Sequence, residues 1–296
     1  MVADRAPRGG ADKRWLALLV ALLFASLAAA QDAASLQARH AALREQLDSN
    51  PYRRPLHIAS QVGDGTLQGD VHARFGQPFA VLGAALQDVG HWCDILILHP
   101  NVKGCRVRPG DRLELNLGRK FEQPLNDTQP FAFRFRVLSA RPDYLALALD
   151  ADSGPLGTSE HRMRVELAAL DAQSSFLHLS YAHAYGLRAR LAMQGYLMTL
   201  GRDKLGFSVV GRDEHGQPIH VDGLRGVVER NVMRYYLAIE AYLDALAAPP
   251  AVQAERRLQL WHAGVSRYPR QLQEPALDDY LQMKRREIQR QQVPAR

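Results

Sequence analysis

Between Arg112 and Tyr185, apolar residues occupy every second position in five successive stretches. Leu113, Leu115 and Leu117 share one face, as do Phe131, Phe133 and Phe135, then Leu145, Leu147 and Leu149, then Met163, Val165 and Leu167, then Leu177, Leu179 and Tyr181. A side-chain period of two predicts strands with one dry face. The alternate positions carry Arg134, Arg136, Arg162, Arg164 and Glu166, so the other face is expected to be wet, as in an antiparallel sheet. Turn residues punctuate the run at Asn126-Asp127, Arg141-Pro142-Asp143, Ser153-Gly154-Pro155 and Asp171-Ala172-Gln173. An earlier stretch, Thr66 to Phe75, alternates Leu67, Val71, Ala73 and Phe75 with Gln68, Asp70, His72 and Arg74, and reads as the first strand.

Helical spacing fills the remainder. Ala34 to Leu47 reads as an amphipathic helix stopped at Ser49-Asn50-Pro51, and Tyr52 to Ser60 as irregular. Pro78 to Leu86 and Val89 to Leu96 read as two short helices interrupting the sheet. After the strands, Leu187, Leu191 and Met198 predict a helix ending near Gly201, to be laid across the sheet. Gly206 to Val210 with Ile219 to Val221 suggests a hairpin. Val228, Val232, Tyr235, Ile239, Tyr242 and Leu246 form a long helical stripe ended by Pro249-Pro250, and two further helices span about 253–266 and 276–292.

The first thirty residues read as a signal peptide. Arg5, Arg8, Lys13 and Arg14 precede the apolar run Trp15 to Ala25, and Ala28 and Ala30 fit a small-residue cleavage site. Eleven apolar residues are too few to span a bilayer alone, and an uncleaved anchor is the alternative. The expected organisation is a signal peptide at 1–30, a helix and linker at 31–60, a sheet domain at 61–205 and a helical extension at 206–296. Export places the mature protein in the periplasm or outside the cell.

That setting bears on the only two cysteines, Cys93 and Cys105, twelve positions apart, which are expected to form a disulfide rather than two buried thiols. His91-Trp92-Cys93-Asp94 offers a thiol near an imidazole, but neighbours on a helix point apart, so a core tryptophan beside a bridged cysteine is the preferred reading. The formal charge of +6 is modest, and the basic tail of Lys284, Arg285, Arg286, Arg290 and Arg296 reads as a solvated helix end, with no nucleic-acid partner expected. Eleven histidines raise the question of a metal, but no ligand spacing is present, and His178 and His183 fall on opposite faces of one strand.

One strand, two short helices, a continuous antiparallel run and a helix is the helix-grip order. From Thr66 to Gly201 the chain resembles the START-like superfamily of lipid-transfer and polyketide-cyclase-type domains, with Val71-His72-Ala73-Arg74-Phe75-Gly76-Gln77-Pro78-Phe79 resembling that family's first strand entering its first helix. The resemblance implies an α+β fold in which a curved sheet grips a helix and holds an apolar or amphiphilic small molecule, with no cofactor. It carries over no catalytic residue. The lining would come from the dry face and from Leu187 to Leu200; Phe133, Leu147, Val165, Tyr181, His183 and Tyr185 are the ligand-binding candidates. Arg230 and Arg234, one helical turn apart, could clamp an anionic head group, or could pair with Glu229, Asp203 or Asp222. The leading expectation is an exported binding protein that does not transform its ligand and makes at most transient membrane contact. The alternatives are a cyclase- or hydratase-type enzyme using His183 or Asp70 in the same cavity, and a non-catalytic envelope scaffold.

Overall fold

The computed structural model describes residues 32–186, 190–191, 195, 204–272 and 274–292. The signal segment, most of the helix expected from Leu187 to Gly201, Asp203 and Arg296 lie outside them.

The period-two stretches form strands where expected. In chain order the strands are β1 (Leu56–Gly63), β2 (Thr66–Phe75), β3 (Val102–Arg108), β4 (Arg112–Leu117), β5 (Gln129–Arg141), β6 (Tyr144–Ser153), β7 (Thr158–Ala169) and β8 (Ser175–Tyr185), with a small hairpin of β9 (Val209–Arg212) and β10 (Pro218–His220). The helices are α1 (Ala33–Ala42), α2 (Arg44–Asp48), α3 (Phe79–Gln87), α4 (Val89–Leu96), α5 (Gly223–Ala245), α6 (Pro250–Ser266) and α7 (Leu277–Gln292).

Eight strands make one antiparallel sheet in the order β1-β2-β8-β7-β6-β5-β4-β3. Strands β3 to β8 are sequential neighbours, so the two short helices α3 and α4 carry the chain from β2 to the far edge. The long helix α5 lies on β2, with further contacts to β1, β8 and α4. This is an α+β helix-grip fold. Gly69 on β2 permits the close approach, since a Cβ there would sit 2.9 Å from Val232 Cγ1 and 3.2 Å from the Val228 carbonyl oxygen.

Two strands escape the sequence pattern. Tyr52 to Ser60 was expected to be irregular, yet from Leu56 it is β1, paired with β2 through Leu56–Ala73 and Ile58–Val71. β3 is short and charged, and its dry positions Val102 and Cys105 are too few to show a period. The expected single helix from Ala34 to Leu47 is two, α1 and α2.

The outer face is wet around Asp150 of β6 and dry where α1 and α2 cover it. Arg164 Nη1 reaches Asp150 Oδ1 at 2.5 Å, and Arg136 pairs with the same carboxylate. Elsewhere α1 and α2 cover the sheet, burying Leu36 and Leu47 against Tyr144, Ala146, Ala168 and Phe176. That face is therefore partly dry, because a helix preceding the sheet returns to shield it.

Cys93 on α4 and Cys105 on β3 are bonded, with Cα atoms 5.2 Å apart. The nucleophile reading of Cys93 is closed by that bond. Trp92 is fully buried and donates Nε1–H to the Leu86 carbonyl at 2.8 Å, so it ties α4 to α3. Replacing both cysteines by serine is expected to lower stability by about 2–4 kcal/mol. Denaturant melts of the oxidised and doubly substituted chains check this; equal midpoints would refute it.

Candidate functional site

The alternation that buries Val165 and Leu179 continues along β7 and β8 to His161, Tyr181 and His183, which therefore face the inner side of the sheet. A register shift between Ser159 and Arg162 lies next to His161. Its Nδ1 is 2.7 Å from the Tyr181 hydroxyl and its Nε2 is 3.0 Å from Thr158 Oγ1. The His183 ring stacks on His161 at 5.3 Å and 12°. Tyr181 meets Tyr235 of α5 at 5.4 Å, and Tyr235 meets His99 at 5.2 Å. A file of polar rings thus runs from the end of the sheet to the gripped helix.

Burial sets the charge state of this file. It lowers His161 to about 4, helped by His183 and Arg162, and it lowers His183 to about 4. It raises Tyr181 far above the ordinary phenol value. At neutral pH the rings are uncharged, and they offer hydrogen-bonding groups in an apolar setting. Two of those groups are unused: His183 Nδ1 and His99 Nε2 are buried and have no hydrogen-bond partner. Leaving such a nitrogen unsatisfied costs about 1–3 kcal/mol.

Gly154 fits against this cluster, since a Cβ there would lie 2.1 Å from His161 Nε2. Gly154→Ala is expected to swing His161 away from Tyr181 and Thr158 while the sheet persists. Imidazole NMR shifts of His161 check the displacement; unchanged shifts would refute it.

The other expected site residues fall in three places. Phe133, Leu147 and Val165 are buried in one apolar core together with Val232, Met233 and Tyr236 of α5. Tyr185 is half-buried at the end of β8, opposite Thr158. Arg230 and Arg234 are buried and engaged by the protein itself. Arg230 Nη1 donates to the carbonyls of Lys204 and Leu205 at 2.9 and 3.2 Å. Arg234 Nε donates to Glu274 Oε1 at 2.6 Å, and Lys120 holds the other oxygen at 2.8 Å. The partner of Arg234 is thus an acid that sequence reading did not consider. Glu229 instead accepts from Ser60 Oγ at 2.6 Å and from the amides of Phe207 and Ser208 at 2.6 and 2.8 Å, fastening the loop before β9 to β1.

Sequence reading missed His161. Extending the period of two by one step before Met163 places it on the dry face, which is the signal that finds it. Asp70 was expected to face that side, but it lies on the outer one, because it alternates with the buried Gly69 and Val71. There it accepts from His178 Nε2 at 2.9 Å, while His178 Nδ1 is 3.0 Å from Glu166 Oε2 and the Tyr144 hydroxyl donates to Glu166 Oε1 at 2.5 Å. His178 and His183 do occupy opposite faces. His72 stacks on His178 at 4.2 Å, beside a groove of about 640 Å³ between α1 and the sheet.

Burial works against the charge on His178, but the hydrogen bonds to Asp70 and Glu166 outweigh it and raise the group to about 9. Because the folded value exceeds the unfolded one, this stabilisation is complete below about pH 6.5 and is lost as pH rises through about 9. An NMR titration is expected to show His178 protonated at pH 7.5 and His161 and His183 neutral; a His178 titrating near 6.5 would refute it. Among the described residues, no group of three or more histidine, cysteine, aspartate or glutamate side chains is placed to hold a metal. Among the same residues, no helix is long and apolar enough to cross a membrane.

No family model matches this sequence, and no curated protein matches it. Solved structures do overlap it. The Zhui aromatase/cyclase from Streptomyces sp. R1128 is 16% identical, with 69% of this chain and 96% of that one covered and a TM-score of 0.36. Norcoclaurine synthase from Thalictrum flavum is 12% identical, covering 46% and 80% with a TM-score of 0.33. A START superfamily protein from Mycobacterium smegmatis is 14% identical, covering 49% and 92% with a TM-score of 0.30. Matches at this level say nothing of the chemistry at His161, Tyr181 and His183, and the helix-grip assignment stands on the strand order and on the seat of α5.

Proposed function

We propose that this chain is an exported binding protein for an apolar or amphiphilic small molecule, held at the inner face of the sheet without being transformed. The polar end of the ligand meets the file of His183, His161 and Tyr181, and the apolar part lies along the dry face towards Phe133, Leu147 and Val165. In this reading Tyr185, half-buried at the end of β8, meets the ligand as it enters. Arg230 and Arg234 back the site from α5, and their engagement with carbonyls and Glu274 makes them supports for the wall rather than a clamp.

The observation that carries the reading is the buried, partnerless Nδ1 of His183 beside two other polar rings on a dry face. A ligand hydroxyl, carbonyl or carboxyl group would satisfy that nitrogen, and the burial of apolar ligand surface would supply about 25 cal/mol per Å² before the costs of binding. The disulfide and the signal-like N-terminus support export, and loading or delivery of such a ligand would involve transient membrane contact.

The test is to purify the mature protein, incubate it with a cell lipid extract and identify what co-purifies by mass spectrometry. A single class of amphiphile is expected, with affinity for it reduced about tenfold in His183→Phe, the loss of one hydrogen bond to a buried group. Recovery of no ligand by either protein would refute the proposal. The 2.7 Å contact between His161 and Tyr181 favours one further reading, a cyclase- or hydratase-type enzyme in which the neutral imidazole takes a proton and the phenol donates one. Conversion of the co-purified compound by the parent but not by Tyr181→Phe would select it.

A further inference from the structure

The last helix brings more positive charge into the interior than the protein neutralises there. Lys103 on β3, Lys284 on α7 and Glu287 on α7 are all fully buried. Glu287 Oε1 accepts from Lys103 Nζ at 3.1 Å, and its Oε2 accepts from Lys284 Nζ at 2.7 Å. Carbonyls of His99 and Val102 complete Lys284 at 2.9 and 2.8 Å, whereas Lys103 turns to the Met283 sulfur at 3.2 Å. Lys284 was expected in a solvated tail and is instead part of the core, because these two carbonyls and one carboxylate replace its water.

Arg290, one turn beyond Glu287, adds a third cation to the neighbourhood of the two lysines. Its charge reaches both lysines and disfavours their protonation. Burial, and then the neighbouring cations, outweigh Glu287 and pull Lys284 down to about 8, and Lys103 is lowered as well. Among the described residues the acids acting on Lys103 are Glu287 and, more weakly, Glu122, so the three cations outnumber the negative charges beside them.

The shortage has a specific geometry. Arg290 Nε and Nη2 are buried and have no hydrogen-bond partner. These two N–H groups form the edge of a guanidinium that grips a carboxylate or phosphate with two parallel bonds. Arg290 lines a cavity of about 130 Å³ together with Lys103, Arg106 and Arg108, and the acids on its wall are Glu287 and Glu114. Glu287 is already shared between two lysines, and Glu114 is taken by Arg108 at 2.9 Å.

We infer that the cavity between β3 and α7 is a binding site for one small oxyanion, a carboxylate or a tetrahedral phosphate or sulfate group, received by the Nε and Nη2 edge of Arg290 with Lys103 beside it. The anion completes the charge of the buried cluster and so locks α7 onto the edge strand of the sheet, on the side away from His183.

Calorimetry of the full mature chain at pH 7 and fixed ionic strength tests this, with chloride replaced at millimolar level by phosphate, sulfate or acetate. At tenfold excess over Kd, Tm is expected to rise by about 3 °C relative to chloride. A response to phosphate and sulfate alone assigns a tetrahedral ion, and a response to acetate assigns a carboxylate. Arg290→Gln is expected to lose the anion-dependent rise while melting no lower than the parent in chloride, because an uncompensated buried cation has been removed. Equilibrium dialysis of the parent against labelled phosphate, sulfate and acetate gives a reading that needs no variant, with saturation at one ion per chain expected. No saturable binding of any of the three, or an undiminished Tm response in Arg290→Gln, overturns the inference.

Discussion

Glu287→Gln is expected to destabilise the protein by about 3–5 kcal/mol at pH 7. The amide has nearly the shape of the carboxylate, so little packing is lost. What goes is the negative charge that the fully buried Lys103 and Lys284 share. Uncompensated buried ammonium groups either remain charged at high desolvation cost or release their protons at neutral pH, which costs free energy relative to an unfolded lysine near 10.5. Both routes weaken the folded state. The sign with pH follows: as pH rises towards 10.5 the unfolded lysines also lose their protons, so the gap between variant and parent should shrink. Urea melts at pH 7 and pH 10 measure it, and a gap that is constant or wider at pH 10 would exclude this account.

Trp92→Ala is expected to cost about 3–5 kcal/mol, the range for deleting a large buried aromatic side chain. Trp92 is fully buried, lies 6.0 Å from the Phe135 ring and is the neighbour of the bridged Cys93. It therefore fastens the α3–α4 crossover to the middle of the sheet. The disulfide holds α4 near β3 even when the indole is gone, so the variant should keep its far-ultraviolet circular dichroism while its denaturation midpoint falls. A loss below 1 kcal/mol would mean that the crossover is held by the disulfide alone.

The parts of the fold legible in the sequence are those with many consecutive dry positions. Leu145, Leu147 and Leu149, or Met163, Val165 and Leu167, announce central strands because both neighbours of a central strand demand the same face. Edge strands are under no such demand. In β1 the dry run Leu56, Ile58 and Ser60 ends in a hydroxyl that Glu229 and Arg225 use, and in β3 a buried lysine stands beside Val102. The α3–α4 pair and the Cys93–Cys105 bond were also readable, the first from spacing and the second from count and setting.

Long-range pairing was not readable. Arg234 and Glu274, or Lys103 and Glu287, meet only because distant elements fold onto one another, and each charge alone resembles a solvated one. The helix across the sheet was expected from Leu187 onward, whereas the described helix in that seat is α5. α5 presses against Gly69 of β2, a fact of packing rather than of spacing. Tyr181 and His183 face inward as expected, but His161, which hydrogen-bonds Tyr181 and stacks on His183, lies one strand away and needs the β7–β8 register to be seen.

Asp70 on β2 meets His178 on β8, 108 positions later. The β1–β2 hairpin is thus among the earliest pieces synthesised and among the last to be completed. At about 5–20 residues per second its open side waits about 5–20 s for β8 to emerge, with backbone groups free to pair with a neighbouring nascent chain. A polypeptide kept unfolded until it is whole, as transport across a membrane before folding requires, never exposes that waiting edge.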